Sequence, residues 1–242
     1  MRTSLASVTH KGNLRPDNQD RIFAGAKTSG SAPEAILAVA DGMGGLSFGD
    51  RASELTVQLL ARWWERIPPR EGLSGSLDAV IYEAHRQIFD LAESMGTPSG
   101  STLSLLYLRG NSVLIKQIGD SRVYRIRQGG CFQLTRDQTW ANRMIDDGRL
   151  TPRQADAHRM RNALVNALGV SPELEIVTVE DRCREGDAYL VCSDGFYHDA
   201  PLEILAARSM DTPPEELLQW ALGQVLTGRA PDNASAAMIC LK

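Results

Sequence analysis

Leu103-Ser-Leu-Leu-Tyr-Leu-Arg-Gly-Asn-Ser-Val-Leu-Ile-Lys-Gln-Ile-Gly-Asp120 reads as two short strands joined by a tight turn. Leu103, Leu105 and Tyr107 alternate, Gly110-Asn111 turns the chain, and Val113 and Ile115 alternate again up to Gly119. Immediately downstream, Tyr124 to Arg127, the turn Gly129-Gly130 and Cys131 to Leu134 repeat the pattern as a second hairpin.

Outward from these hairpins the period changes. Ala35-Ile-Leu-Ala-Val-Ala40 is a short apolar run ending in a Gly-rich segment, so it predicts a buried strand that delivers Asp41 to a loop. After Gly49, Ala52, Leu55, Leu59 and Trp63 recur at helical spacing. Leu77, Val80, Ile81, Ala84, Ile88, Leu91 and Met95 predict a second amphipathic helix, started by Ser76 and stopped near Gly96 and Pro98. A polar helical stretch is expected from about Trp140 to Leu168, broken at Gly148 and Pro152. Ile176 to Val179, Tyr189 to Cys192 and Ala236 to Leu241 read as strands, and Glu215 to Leu226 as a helix. Paired helices beside hairpin-linked strands argue for an α+β fold with antiparallel sheet packed under helices. Strict βαβ alternation and a GxGxxG loop are both missing, which excludes a dinucleotide-binding doubly wound fold.

The chain has 242 residues, which fits one large domain or two small ones, and with 43% hydrophobic residues it can bury a sizeable core. The formal charge is −4, so no global basic field attracts nucleic acid or anionic lipid, and neither is expected as a partner. Any phosphate chemistry must then rest on local cations or bound metal. Cys131, Cys183, Cys192 and Cys240 lack CxxC spacing and lie in or beside apolar runs, as buried free thiols in a reducing compartment would. His10, His85, His158 and His198 are scattered, which argues against a His-ligated metal. Residues 1–13 hold no continuous apolar run, and no stretch approaches a membrane span, so a cytoplasmic location is expected.

Four acidic residues stand at strand ends or in Gly-containing loops: Asp41 in Asp-Gly-Met-Gly-Gly, Asp120 in Gly-Asp-Ser-Arg, Asp194 in Ser-Asp-Gly and Asp232 in Pro-Asp-Asn. A strand that ends in Asp fixes the carboxylate on a rigid element, and a neighbouring Gly lets backbone approach an ion closely. Gathered carboxylates repel one another unless a cation neutralises them, and an all-oxygen set favours Mg²⁺ or Mn²⁺ over zinc. Each Asp taken alone reads first as a turn or helix-cap residue, and the placement of Asp41 and Asp194 at the ends of apolar strand runs weakens that reading for the pair. In Arg15-Pro-Asp-Asn-Gln-Asp20, Arg15 could fork a phosphate and Asp20 could orient water near a metal, or the segment is a surface turn.

Taken in order, Arg15-Pro-Asp-Asn-Gln-Asp20, Asp41-Gly-Met-Gly-Gly45, Gly100-Ser-Thr102, Ile118-Gly-Asp-Ser-Arg122, Leu134-Thr-Arg-Asp137, Arg161-Asn162 with Ala167-Leu-Gly169, Ser193-Asp-Gly195 and Asp232-Asn233 resemble the PPM family, the metal-dependent serine/threonine phosphatases of protein phosphatase 2C type. The resemblance spans essentially the whole chain. It implies a four-layer α-β-β-α sandwich, two central antiparallel sheets flanked by helices, forming a single catalytic domain over 1–242 with a flap at about 140–161. It implies that Asp41 bridges two Mn²⁺ or Mg²⁺ ions, that the Gly42 carbonyl ligates one, and that Asp194 and Asp232 complete the protein ligands. Asp20 acts mainly through water around the ions, Arg15 holds the substrate phosphate, and Asp120 with Asp194 matches a weaker third metal site. The implied reaction is in-line attack of activated water on phosphoserine or phosphothreonine in proteins, without a covalent intermediate.

The sequence departs from the family pattern in three respects, the last of them covering two places. Met43 stands where eukaryotic relatives often carry His, so water is the expected proton donor. Gln19 replaces a common Glu. The segment His158-Arg-Met-Arg-Asn162 lacks the usual Pro after His, and Asn166 replaces a common Arg. The resemblance further implies a monomer opposing a partner Ser/Thr kinase, with a link to type VI secretion in some members. A competing class is a pseudophosphatase that binds phosphoprotein without turnover. A two-metal nuclease would need a basic, aromatic-lined groove that the composition does not offer.

Overall fold

The computed structural model describes residues 2–29, 32–43, 48–66 and 72–242; Gly44 and Gly45 of the Asp-Gly-Met-Gly-Gly motif lie outside the described residues. The first half forms strands β1 (Thr3–His10), β2 (Asp20–Ser29) and β3 (Ala32–Asp41), then helices α1 (Gly49–Glu65) and α2 (Leu73–Met95). Strands β4 (Leu103–Arg109), β5 (Ser112–Ile118), β6 (Arg122–Arg127) and β7 (Gly130–Gln133) follow. Short helices α3 (Trp140–Asp146) and α4 (Pro152–Asp156) precede β8 (Val177–Arg182) and β9 (Ala188–Cys192). The chain ends with α5 (Asp194–Tyr197), α6 (Leu202–Arg208), α7 (Pro214–Thr227) and β10 (Ala234–Leu241).

The strands pair into two five-stranded sheets, ordered β1-β10-β9-β6-β7 and β2-β3-β4-β5-β8, with every neighbouring pair antiparallel. The two-residue side-chain period of a strand explains the layering. In β3, Ala35, Leu37 and Val39 meet Val191, Ala237 and Ile239 of the other sheet, while Ile36 and Ala38 face Leu60, Trp63, Leu77 and Ile81 of α1 and α2. In β10, Ala237, Ile239 and Leu241 face inward, and Ala236, Met238 and Cys240 pack on Leu205, Leu217, Leu218 and Val225 of α6 and α7. Both central strands are therefore apolar on both faces, and helix, sheet, sheet and helix stack as the expected α-β-β-α sandwich.

Some boundaries differ from the sequence reading, for local reasons. α2 starts at Leu73 after a left-handed Gly72, three residues before Ser76. Ser76 Oγ instead donates to Leu73 O and accepts from Trp63 Nε1, so it joins two helices rather than capping one. The second hairpin turns at Gln128-Gly129, both at positive φ (54° and 75°), as a tight two-residue turn requires, and Gly130 already belongs to β7. The polar stretch is helical only in α3 and α4. Beyond them its backbone is used in bridges, Thr139 to Leu164 and Ser101 to Leu168. β1, β2, α5 and α6 were not foreseen, since β1 and β2 carry few large apolar side chains and owe their conformation to pairing with β10 and β3.

Candidate functional site

The five acidic residues singled out in the sequence come from strand ends of both sheets. Asp20 opens β2, Asp41 closes β3, and the two are direct partners in the antiparallel register. Asp194 follows β9 and Asp232 precedes β10, two strands that also pair. Asp120 lies in the turn between β5 and β6. Asp41, Asp120, Asp194 and Asp232, with Met43, Thr102 and Asn162 to Leu164, line one cleft of about 310 Å³. A larger cleft of about 590 Å³, between the start of α2 and strands β5 and β8, is lined by none of the candidate residues.

Close backbone packing sets this convergence. Gly42 N donates to Gln19 O, and a Cβ on Gly42 would overlap Gly49 O and Gln19 O, so only glycine lets the chain turn there. A Cβ on Gly195 would overlap Asn233 O, which presses Asp194 and Asp232 together. Asn233 holds one loop, the connection from β1 to β2, at three points: its Nδ2 donates to Lys11 O and Asp17 O at 2.9 Å, and its Oδ1 accepts from Gln19 N at 2.8 Å. The segment carrying Arg15 and Asp20 is thereby tied to the loop carrying Asp232. Thr102 holds Asp41 by reciprocal bonds, Asp41 N to Thr102 Oγ1 and Thr102 N to Asp41 O. Ser193 Oγ donates to Asp20 Oδ2 at 2.8 Å. Sequence reading gave no role to Asn233, Thr102 or Ser193; small polar residues abutting the acidic ones were the available signal.

The electrostatics follow from crowding. Asp41 is held well above the usual carboxylate range by burial and then by Asp20, Asp194, Asp120 and Asp232. Burial pushes Asp20 up to about 6 against hydrogen bonds from Ser235 and Ser193, and pushes Asp120 up to about 7 with help from Asp194 and Asp137. Asp194 is raised by burial and by Asp232. Asp20 Oδ1 is buried and accepts no hydrogen bond from the described residues. Such a set disfavours its own ionisation and suits a hard, oxygen-seeking divalent cation.

Arg15 sits at the mouth of this site with its fork closed on Asp232, Nε to Oδ1 at 2.8 Å and Nη2 to Oδ2 at 2.7 Å. Among the described residues no three acidic, His or Cys side chains close into a ready-made cage, and Asp232 is engaged by Arg15. The carboxylates border a common space instead, so water must fill part of any ion's shell. Chemically the residues fit Mg²⁺ or Mn²⁺: oxygen donors only, drawn from rigid strand ends, with an excess of negative charge.

The cleft continues past Asp120, Asn162 and Asp194 into a polar groove of about 480 Å³. There Arg122 forks Asp137 and stacks on Tyr197 at 3.8 Å, while Tyr197 Oη donates to Asp120 O. His198 lines the same groove, its Nδ1 3.2 Å from Asp194 O. Gln19 takes part through its backbone, which accepts from Gly42 N and Ser53 Oγ. In the expected flap, Trp140 stacks on His158 at 4.1 Å; beyond it, Asn166 Nδ2 donates to Gln138 Oε1 and Glu175 O. All four cysteines are free thiols, and among the described residues no helix is long and apolar enough to cross a membrane.

Comparison with known proteins agrees with this geometry. Residues 10–226 match the model of the family described as protein phosphatase 2C. The serine/threonine protein phosphatase PstP of Mycobacterium tuberculosis is 33% identical over 244 residues, which cover 96% of this chain but 44% of that protein's length. The crystal structure of the PstP catalytic domain in complex with two manganese ions superposes with a TM-score of 0.81 at 30% identity, covering 99% of this chain and 98% of that one. PppA of Pseudomonas aeruginosa, a key regulatory component of T6SS, does so with a TM-score of 0.81 at 29% identity, covering 100% and 99%. With ordered motifs, four-layer fold and whole-chain similarity in agreement, the chain belongs to the protein phosphatase 2C family.

Proposed function

We propose that this chain is a single catalytic domain, with a flap at about 140–161, that hydrolyses phosphoserine and phosphothreonine in proteins using two Mn²⁺ or Mg²⁺ ions and a weaker third. The observation that carries the reading is the convergence of Asp41, Asp120, Asp194 and Asp232 from both sheets on one cleft. Asp41 would bridge the two ions, with the Gly42 carbonyl, Asp194 and Asp232 as further ligands. Asp120 with Asp194 would hold the third, and Asp20 would act through surrounding water. Ions so held lower the pKa of water and offset charge on the phosphoryl oxygens. The protein's own part is positional. Ser193 and Thr102 hold the Asp20 side chain and the Asp41 backbone in place, and the Arg15 fork, which binds a carboxylate at the cleft's mouth, has the geometry to bind a phosphoryl group. Met43 carries no transferable proton, so the leaving hydroxyl takes its proton from water.

Phosphoproteins are the proposed substrates, placing the domain opposite a Ser/Thr kinase, as a cytoplasmic monomer. The likeness to PppA supports a link to type VI secretion. The test is release of phosphate from a phosphothreonine peptide by wild type, Asp41→Asn and Asp194→Asn, with and without Mn²⁺. Loss of on the order of a hundredfold or more is expected in both variants, given the size of a metal's contribution. Chelator-insensitive release, or full activity in both variants, would overturn the reading. Peptide binding without release would indicate a phosphoprotein-binding module. A phosphotyrosine peptide in parallel checks the substrate class.

A further inference from the structure

The candidate cleft adjoins a second groove through shared walls. Met43 and Leu164 line both the cleft of Asp41, Asp194 and Asp232 and an adjoining groove of about 390 Å³. The apolar walls of that groove are Met43, Leu164, Val165 and Val170. Val165 and Val170 remain 47% and 49% exposed, although β-branched residues so close to a core usually find cover. A Cβ on Gly100 would stand 2.5 Å from Val170 Cγ2 and 2.8 Å from Met43 Sδ, so the Met43 and Val170 side chains both lie over the bare backbone of Gly100. Glu173, Glu175 and Arg143 line the rest of the groove with charge.

The groove walls are held before any ligand arrives. Leu164 bridges Thr139, Val165 N donates to Gln138 O, and Leu168 exchanges both backbone bonds with Ser101. Asn166 Nδ2 donates to Gln138 Oε1 and Glu175 O at 2.7 Å, and Gly169 N donates to His85 Nδ1. A preformed groove costs little ordering when it is filled, and this one sets an apolar strip beside polar and charged groups. The cleft also adjoins a groove lined by Arg122, Arg136, Asp137, Asp156 and Arg161, which carries more charged side chains than the groove of Val165 and Val170.

We propose that the groove of Met43, Leu164, Val165 and Val170 receives an aliphatic side chain flanking the phosphoresidue of an extended protein substrate. An extended chain advances about 3.3 Å per residue, so a phosphoresidue seated among the carboxylates sends its neighbours into the adjoining grooves. The shared walls Met43 and Leu164 make this groove the first apolar surface such a neighbour meets. The inference rests on the phosphatase reading above and narrows its substrate to phosphopeptides with an apolar residue on one side.

The test is a set of phosphothreonine peptides in which Leu or Ser is placed in turn at each flanking position, assayed with Mn²⁺. The quantity read is the ratio of kcat/KM for the Leu and Ser peptides within each enzyme. Wild type is expected to favour Leu about tenfold at one flanking position, the usual worth of an aliphatic group in a specificity pocket. Val165→Ser and Val170→Ser, both at exposed positions, bring that ratio toward one, and Val170→Asp favours Lys over Leu at the same position. A ratio near one at every position in wild type, or a Leu preference that survives both serine variants, would overturn the subsite while leaving the phosphatase reading intact. Failure of all peptides to release phosphate removes both.

Discussion

Asp120 shows at the residue scale how one carboxylate couples stability to charge. Burial, then Asp194 and Asp137, push it up to about 7 from an ordinary value of 3.8. A carboxyl raised on folding stabilises the fold below its unfolded pKa, and that contribution is lost as pH rises through the folded value. In chelator-treated protein, Asp120→Asn should therefore raise stability above pH 7 by about 1–3 kcal/mol and leave it unchanged near pH 4, read by urea denaturation. Adding Mn²⁺ should stabilise the variant less than wild type. Equal pH profiles for the two proteins would show that Asp120 does not feel its neighbours. Met43 is the complementary case, legible as a departure from the family pattern, yet its place beside Val170 over the backbone of Gly100 is seen only in three dimensions.

Among elements, the most informative link joins the segment before β2 to the loop before β10. Asn233 supplies it with three hydrogen bonds to backbone more than 200 residues away in sequence. Asn233→Ala would take a hydrogen-bond partner from Gln19 N and from the carbonyls of Lys11 and Asp17, at about 1–3 kcal/mol for a group that stays dry and less where water replaces the bond. The expected outcome is a loss of about 2–4 kcal/mol of stability and a rise in KM for phosphopeptide, because Arg15 and Asp20 are no longer held against Asp232. Unchanged stability and KM would mean that the Arg15 segment is fixed by β2 alone. The hairpins β4–β5 and β6–β7 were legible because alternation and turn chemistry are local. β2 was not, since Gly25, Ala26 and Lys27 carry no periodic apolar signal and their strand exists because β3 pairs with it.

For the whole molecule, the proposed ligands straddle two sheets: Asp41 ends a strand of one, while Asp194 and Asp232 flank strands of the other. An ion shared among them would fasten the sheets together at the site. Mn²⁺ at about a thousandfold over its dissociation constant should add roughly 4 kcal/mol, or on the order of 10 °C in Tm for a chain of this size. Asp232→Asn should cut that gain, read by differential scanning calorimetry with and without chelator; a metal-independent Tm would deny the fastening. The amino-acid order by itself determined the α+β class, the antiparallel pairing and the identity of the acidic residues, because periodicity, turn residues and motif order are written along the chain. It did not determine that Asp20 and Asp41 are register partners, that Arg15 closes on Asp232, or that Met43 and Val170 meet. Those contacts join residues far apart in sequence, and they arise only when burial of the apolar faces of β3 and β10 stacks the two sheets and brings their strand ends to one place.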